Sequence, residues 1–226
     1  MVTTPSKLCR EAEAVDSATM PVGVGCRIIN FGCGPSPSPG CINFDGSPTV
    51  LLSKLPVPAR FFGTRRDFVR AVRAQKIRYA LARTLNADAA SLDGFYSSHT
   101  LEHLPPRECE LLLSRVLRWL KPGAVLRIAL PDLHKFAGAY LANQMDADAF
   151  VRALGLAQSN FRWWSRIVGH SHHRYMYDAK SFSALLRSLG YREVAECSFG
   201  QSRLSALGRL DLKSREHESF YVEANR

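Results

Sequence analysis

No apolar run in the 226 residues approaches the roughly 18 needed to cross a bilayer, so no transmembrane helix is expected. The first 20 residues are polar, carry Glu11, Glu13 and Asp16, and lack the apolar core of a signal peptide. A disordered tail is expected over 1–20. Cysteine is sparse and scattered: Cys9, Cys26, Cys33, Cys41, Cys109 and Cys197 form no CxxC pair and no disulfide-like framework. A reducing cytoplasmic location is the simplest reading. Acidic residues are few where basic ones crowd. Arg60, Arg65, Arg66, Arg70, Arg73, Lys76, Arg78 and Arg83 are opposed in their stretch by Asp67 alone, and the net charge is +10. Such a patch suits nucleic acid, a phosphorylated or nucleotide-linked substrate, or acidic headgroups, and equally a solvated helix face. Few aromatics interleave with these arginines, so stacking on single-stranded bases is not specifically indicated.

The hydrophobic content, 46%, is ordinary for one domain with a full core. From Arg27 onward short apolar runs alternate with helical periods. The expected strands are 27–31, 41–45, 77–81, 94–97, 124–130, 192–199 and 218–223. Thr64 is placed to cap a helix carrying Phe68, Val69 and Val72. Pro105-Pro106 opens another with Cys109, Leu112, Leu113, Val116, Leu117 and Leu120 at helical spacing, stopped by Lys121-Pro122-Gly123. A third runs from Ala179 to Leu189, with Asp178 as cap and Gly190 beyond its end. Alternating strands and helices predict an α/β fold with a mostly parallel sheet, helices on both faces, and the last two strands pairing antiparallel at an edge. Residues 131–177 interrupt the alternation with a helical, aromatic-rich insertion. Following a strand's carboxyl end, it is placed to overhang a ligand crevice as a lid.

The chemistry concentrates in RIINFGCGPSPSPGCINFDGS, residues 27–47. An apolar strand ends in Gly32-Cys33-Gly34 and a second ends at Asp45. Glycines there let a ligand approach the backbone, and a carboxylate on the next strand can hold ribose hydroxyls. The dinucleotide fingerprint does not fit: no third glycine follows, and Pro35-Ser36-Pro37-Ser38-Pro39 stands where its helix would start.

Taken in order, Asn30-Phe31-Gly32-Cys33-Gly34, Pro39 to Asp45, Phe95-Tyr96-Ser97-Ser98-His99-Thr100-Leu101-Glu102-His103-Leu104, Val116 to Gly123 and Leu130-Pro131-Asp132 resemble the motifs of class I S-adenosylmethionine-dependent methyltransferases. More narrowly, they resemble the bacterial branch linked to sugar or polysaccharide modification. The resemblance covers residues 27–223, so 21–226 is expected to be one methyltransferase domain. It implies a Rossmann-like seven-stranded sheet with an antiparallel last strand, S-adenosyl-L-methionine as cofactor, and methyl transfer to a hydroxyl of a small molecule or glycan precursor, including an anionic one. Asn30, Gly32, Cys33, Gly34, Asp45, Ser97 and Ser98 would border the cofactor. Two departures stand out. Thirteen positions separate Gly32 from Asp45, too few for the usual first helix, and the third strand offers Leu81 and Ala82 where relatives often place an acid near the adenine, with Asp88 as a substitute.

His99, His103 and His172 are the candidate general bases, an imidazole being able to take a hydroxyl proton near neutral pH; His170 and His173 are rivals. Glu102, Asp132, His170 and Trp163 are candidate acceptor contacts, although Glu102 and His103 could simply orient a turn, Asp132 cap a helix, and Trp163 and Trp164 bury a lid helix. His99-Thr-Leu-Glu102-His103 matches the inverted zinc-protease pattern, but that chemistry needs a continuous helix, which Pro105-Pro106 precludes. A divalent ion held by His99, Glu102, His103 and a lid histidine is the lesser reading, and no residue is assigned as a metal ligand. A nucleic-acid methyltransferase is the alternative acceptor class, without a separate RNA-binding module or an Asn/Asp-Pro-Pro-aromatic motif to support it. A cofactor-binding scaffold without catalysis is the other alternative.

Overall fold

The computed structural model describes residues 26–56, 58–74, 76–156 and 172–226. The tail expected over 1–20, Trp163, Trp164 and His170 lie outside the described residues.

Seven strands form one sheet: β1 (Ile28–Phe31), β2 (Cys41–Asp45), β3 (Arg78–Tyr79), β4 (Leu92–Ser98), β5 (Leu120–Pro131), β6 (Arg192–Cys197) and β7 (Ser219–Asn225). Their order is β3-β2-β1-β4-β5-β7-β6. The first five pair in parallel, and β7 runs antiparallel to both β5 and β6. This is the Rossmann-like, mostly parallel sheet that the resemblance implies.

Strand alternation divides the core between two faces. Ile29, Phe31, Phe95, Leu126, Ile128 and Leu130 point to the larger cluster. It is covered by α3 (Pro106–Trp119), through Cys109, Leu112, Leu113, Val116 and Trp119. The helix α6 (Ala179–Ser188) adds Phe182 and Leu186. On the opposite face Ile28, Tyr96 and Val125 meet Leu207 of the short α7 (Ser205–Gly208). The same face buries Arg127, whose guanidinium reaches Asp211 and Glu223 with no exposure of any of the three side chains. The helices α1 (Pro48–Leu52) and α2 (Arg66–Arg73) bury Val50, Phe68 and Val72 with Ile77.

Local signals account for most boundaries. Pro106 occupies the first turn of α3, where a missing N–H costs nothing. Asp178 and Ser181 form a reciprocal capping box on α6, and Gly190 follows at φ +95°. Several expectations need correction. The second helix starts at Arg66, so Arg65 and not Thr64 sits at its N-cap. Leu120 already belongs to β5, the turn at Lys121-Pro122-Gly123 lying inside the strand's span. β3 is two residues long because Thr84 Oγ1 accepts the Leu81 N–H, and the Leu81 carbonyl accepts from Thr84 and Leu85. A side chain competing locally for backbone groups ends the ladder there.

Between β5 and α6 the chain forms α4 (Leu133–Leu141) and α5 (Ala147–Ala153) and returns through 172–178. The return is pinned by Arg174 and Tyr175, both of which donate backbone N–H groups to the Glu102 carbonyl (2.7 and 3.1 Å). Among the described residues no helix is long and apolar enough to cross a membrane.

Candidate active site

The parallel strands all end on one side, and the order reverses between β1 and β4, the point where open α/β sheets form ligand crevices. A cleft of about 860 Å³ opens there. Its walls are Gly32 and Gly34 after β1, Asp45 to Pro48 after β2, Leu81 and Ala82 after β3, and His99, Thr100, His103 and Leu104 after β4, with His172 and Arg174 from the return segment.

The two glycines serve different purposes. A Cβ on Gly32 (φ +76°) would fall 1.9 Å from Thr100 Oγ1, so this glycine lets the turns after β1 and β4 interlock. Gly34 (φ +54°) has nothing within 4 Å on its Cβ side, so the backbone there is bare toward the cleft. Asp45 braces both ends of its wall: it accepts N–H bonds from Gly34 (3.0 Å, Oδ2) and Ser47 (2.8 Å, Oδ1). Burial raises its pKa, against the pull of those two donors. Each oxygen keeps a lone pair beyond the one its N–H donor occupies, and Asp45 borders the cleft.

Other residues named from sequence sit elsewhere. Asn30 is buried behind the cleft and donates to Asn43 Oδ1 (3.0 Å) and Ser38 Oγ (3.5 Å). Asn43 in turn binds the Ser38 N–H and carbonyl, so the two asparagines fasten the Pro-Ser loop. Cys33 packs beside Val50, Phe68, Val72 and Ile77, and burial pushes its thiol up to about 12. Ser97 is fully buried, and its hydroxyl has no partner among the described residues. Ser98 contributes its carbonyl to Thr100 Oγ1 (2.9 Å). Asp132 caps α4 through the His134 N–H (3.0 Å) and is not part of the lining. Leu81 and Ala82 do border the cleft, while Asp88 is exposed and does not.

The remaining wall is built of histidines around one acid. His99 adopts φ +47°, a conformation costly for a residue with a Cβ and common at functional sites. Its Nε2 lies 2.7 Å from Ser219 Oγ, whose own proton goes to the Arg215 carbonyl (2.6 Å). Nε2 is therefore the protonated nitrogen, and Nδ1 turns its lone pair toward Glu102 Oε1, 3.8 Å away. His103 Nδ1 donates to the His172 carbonyl (3.3 Å), which leaves its Nε2 facing the same Oε1 at 3.7 Å. His173 Nε2 stands 4.0 Å from that oxygen. Glu102 is 1% exposed, and neither of its oxygens has a hydrogen-bond partner among the described residues. Burial drives its pKa up to about 8. Burial, with Arg215 nearby, brings His99 down to about 4, and burial also lowers His103 and His173. Near neutral pH these imidazoles are neutral, with free lone pairs, and burial makes each a weaker base than a free imidazole.

The three histidines named as base candidates thus line one cleft with Asp45 and the glycines. Thr100 and Arg174 join them without having been singled out. The glycine at position 32 was the available sign of Thr100; for Arg174, the run His172-His173-Arg174 gave only composition.

No family model matches the chain, and no curated protein matches it. Solved structures do. A chain of the complex between the Haloferax volcanii Trm112 methyltransferase activator and a methyltransferase aligns over 91% of this chain and 84% of its own, with TM-score 0.51 and 14% identity. An S-adenosylmethionine-dependent methyltransferase from Archaeoglobus fulgidus aligns over 89% and 87%, with TM-score 0.50 and 16% identity. The Haemonchus contortus phosphoethanolamine N-methyltransferase 2 aligns over 89% of this chain and 49% of its own, with TM-score 0.47 and 13% identity. This chain spans about half the length of that enzyme. The likeness establishes a fold shared with methyltransferases.

Proposed function

We propose that this chain binds S-adenosylmethionine in the cleft and transfers its methyl group to a hydroxyl of a small molecule or a sugar or glycan precursor. The observation that carries this reading is the convergence of Gly34, Asp45 and neutral histidines on one cleft at the switch between β1 and β4. The residues fit the cofactor: Gly34 offers bare backbone for the amino-acid end, and the free lone pairs of Asp45 suit a ribose diol. Leu81 and Ala82 offer an apolar wall for an adenine in place of an acid.

When bound, the cofactor supplies an electrophilic methyl on a sulfonium sulfur. The protein's part is to align an acceptor oxygen with that carbon and to remove the proton. His99 and His103 hold neutral imidazoles beside the cleft for this, with His172 adjoining His103 in the same wall. Arg174 adds a cation at the rim, which favours an acceptor bearing negative charge. Of the insertion, His172 and Arg174 border the cleft on the acceptor side.

Calorimetry with S-adenosylmethionine and S-adenosylhomocysteine tests the reading. Binding of neither by the wild-type chain would end it. In the basic stretch Arg65 donates to Thr49 Oγ1 and Arg73 to the Ser53 and Leu55 carbonyls, while Arg60, Arg66, Arg70, Lys76, Arg78 and Arg83 are exposed, which keeps the nucleic-acid alternative open. Steep salt-dependent RNA binding, lost on neutralising Arg65, Arg66 and Arg70, would favour it instead.

A further inference from the structure

We infer that Glu102, His103 and His173 form a binding site for one divalent transition-metal ion in the wall of the cleft. One ligand atom from each of these residues lies within 4.8 Å of the other two. Two nitrogens and one carboxyl oxygen are brought together from a turn after β4 and a segment some 70 residues later, which the Arg174 and Tyr175 N–H groups hold on the Glu102 carbonyl. As they stand, the His103 and His173 rings pack at a tilt, centroids 5.1 Å apart, but neither ring hydrogen-bonds Glu102. At 3.7 and 4.0 Å the nitrogens are too far from Oε1 to share a proton with it. Ligands about 2.1 Å from a common tetrahedral ion are about 3.4 Å apart, so shifts on the order of 1 Å would close the set.

The buried, unpartnered carboxyl group itself calls for a ligand. A side chain 99% buried with neither oxygen hydrogen-bonded among the described residues is costly unless something pairs with it. The donors that would ordinarily serve are turned away. His103 spends its one proton on the His172 carbonyl and presents the bare Nε2, the orientation that a metal-bound imidazole takes when its other nitrogen is held by a carbonyl. His99 is held in the equivalent way by Ser219, its bare Nδ1 facing the same oxygen. Gly155 (φ +69°) completes the arrangement: a Cβ there would lie 2.6 Å from the His173 ring, so only glycine leaves that ring in place.

Two imidazoles and one carboxylate suit ions such as Zn²⁺ or Co²⁺, and favour them over Mg²⁺, which takes oxygen ligands and keeps its water. The ion would be held by residues of the cleft wall, because His103 itself lines the cleft. Its use in catalysis rests on the methyltransferase reading: there it would hold an acceptor hydroxyl and lower its pKa. With both His103 nitrogens engaged, the proton would pass to another histidine of the wall. Its binding does not rest on that reading.

The test uses the full chain, stripped with chelator and free of nucleoside cofactor, titrated with Co²⁺ followed by visible absorption and then with Zn²⁺ as competitor. One equivalent of Co²⁺ with ligand-field bands, displaced by Zn²⁺ and not by equal Mg²⁺, is expected. Glu102→Gln and His103→Ala should each weaken binding at least tenfold, while His217→Ala, at an exposed histidine outside the cleft, should leave it unchanged. Glu102→Gln keeps the side chain's shape, and a circular-dichroism melt verifies that each variant is folded. No saturable binding by wild type, or binding by folded Glu102→Gln and His103→Ala equal to wild type, would overturn the site. Intact Co²⁺ binding without S-adenosylhomocysteine binding would overturn the methyltransferase reading alone.

Discussion

Asp45→Ala removes a carboxylate that has two tasks, and the two can be measured apart. Toward the protein, it accepts the Gly34 and Ser47 N–H groups at 3.0 and 2.8 Å. Toward the cleft, its remaining lone pairs face the proposed ribose. A hydrogen bond to a charged group contributes about 1.5–3 kcal/mol net. Losing two such bonds to a diol would cost about 3–6 kcal/mol of affinity, roughly 10²- to 10⁴-fold in Kd for S-adenosylhomocysteine. The structural task costs a similar sum, about 2–6 kcal/mol in all. Two part-buried N–H groups left to find water lose about 1–3 kcal/mol each, against a stability on the order of 5–15 kcal/mol. The variant should therefore remain folded at 25 °C while binding collapses. Asp45→Asn separates the tasks further: its one carbonyl oxygen can accept from Gly34 or Ser47 but not both, and its amide faces the other donor. It should be destabilised to a similar degree and bind with intermediate affinity. Titration calorimetry with S-adenosylhomocysteine, beside circular-dichroism melts, reads both quantities. Folded Asp45→Ala binding within threefold of wild type would refute the assignment.

Three other outcomes are expected. Arg127→Met leaves Asp211 and Glu223 buried without their cation; breaking such a cluster costs about 3–5 kcal/mol, or roughly 6–20 °C in Tm, and a fall under 2 °C by calorimetry would contradict it. The Cys33 and Cys41 thiols, pushed up by burial to about 12 and about 11, stay protonated at pH 8, so peptide mapping after brief alkylation of the native chain should find both unmodified. Labelling that becomes fast only as pH climbs toward those values has the right sign; rapid labelling at pH 8 has the wrong one. Gly155→Ala forces the His173 ring aside without deleting any ligand atom, and should weaken Co²⁺ binding at least tenfold in the spectroscopic titration.

The strands were legible because two-residue alternation and apolar runs report directly on a sheet with two buried faces. The expected strand 77–81 is longer than β3 because the competition for the Leu81 backbone by Thr84 leaves no mark on hydropathy. Asn30 was grouped with the glycines it adjoins. Yet the same alternation puts its side chain on the face opposite Ile29 and Phe31, where Asn43 receives it. The candidate site was legible in its local motifs, since Asp45 ends a strand and Gly32, Gly34, His99 and His103 follow one. What joins residues distant in the chain was not. Arg127 meets partners 84 and 96 positions away, and nothing in the periodicity of either segment announces it. The approach of His173 to Glu102 is of the same kind, fixed by where the insertion returns and not by any motif.

That return gives Glu102 two roles in one residue. Its carbonyl holds Arg174 and Tyr175 by their N–H groups, while its carboxylate faces His99, His103 and His173. The segment that borders the cleft cannot swing away without surrendering bonds to the residue whose side chain would grip an ion.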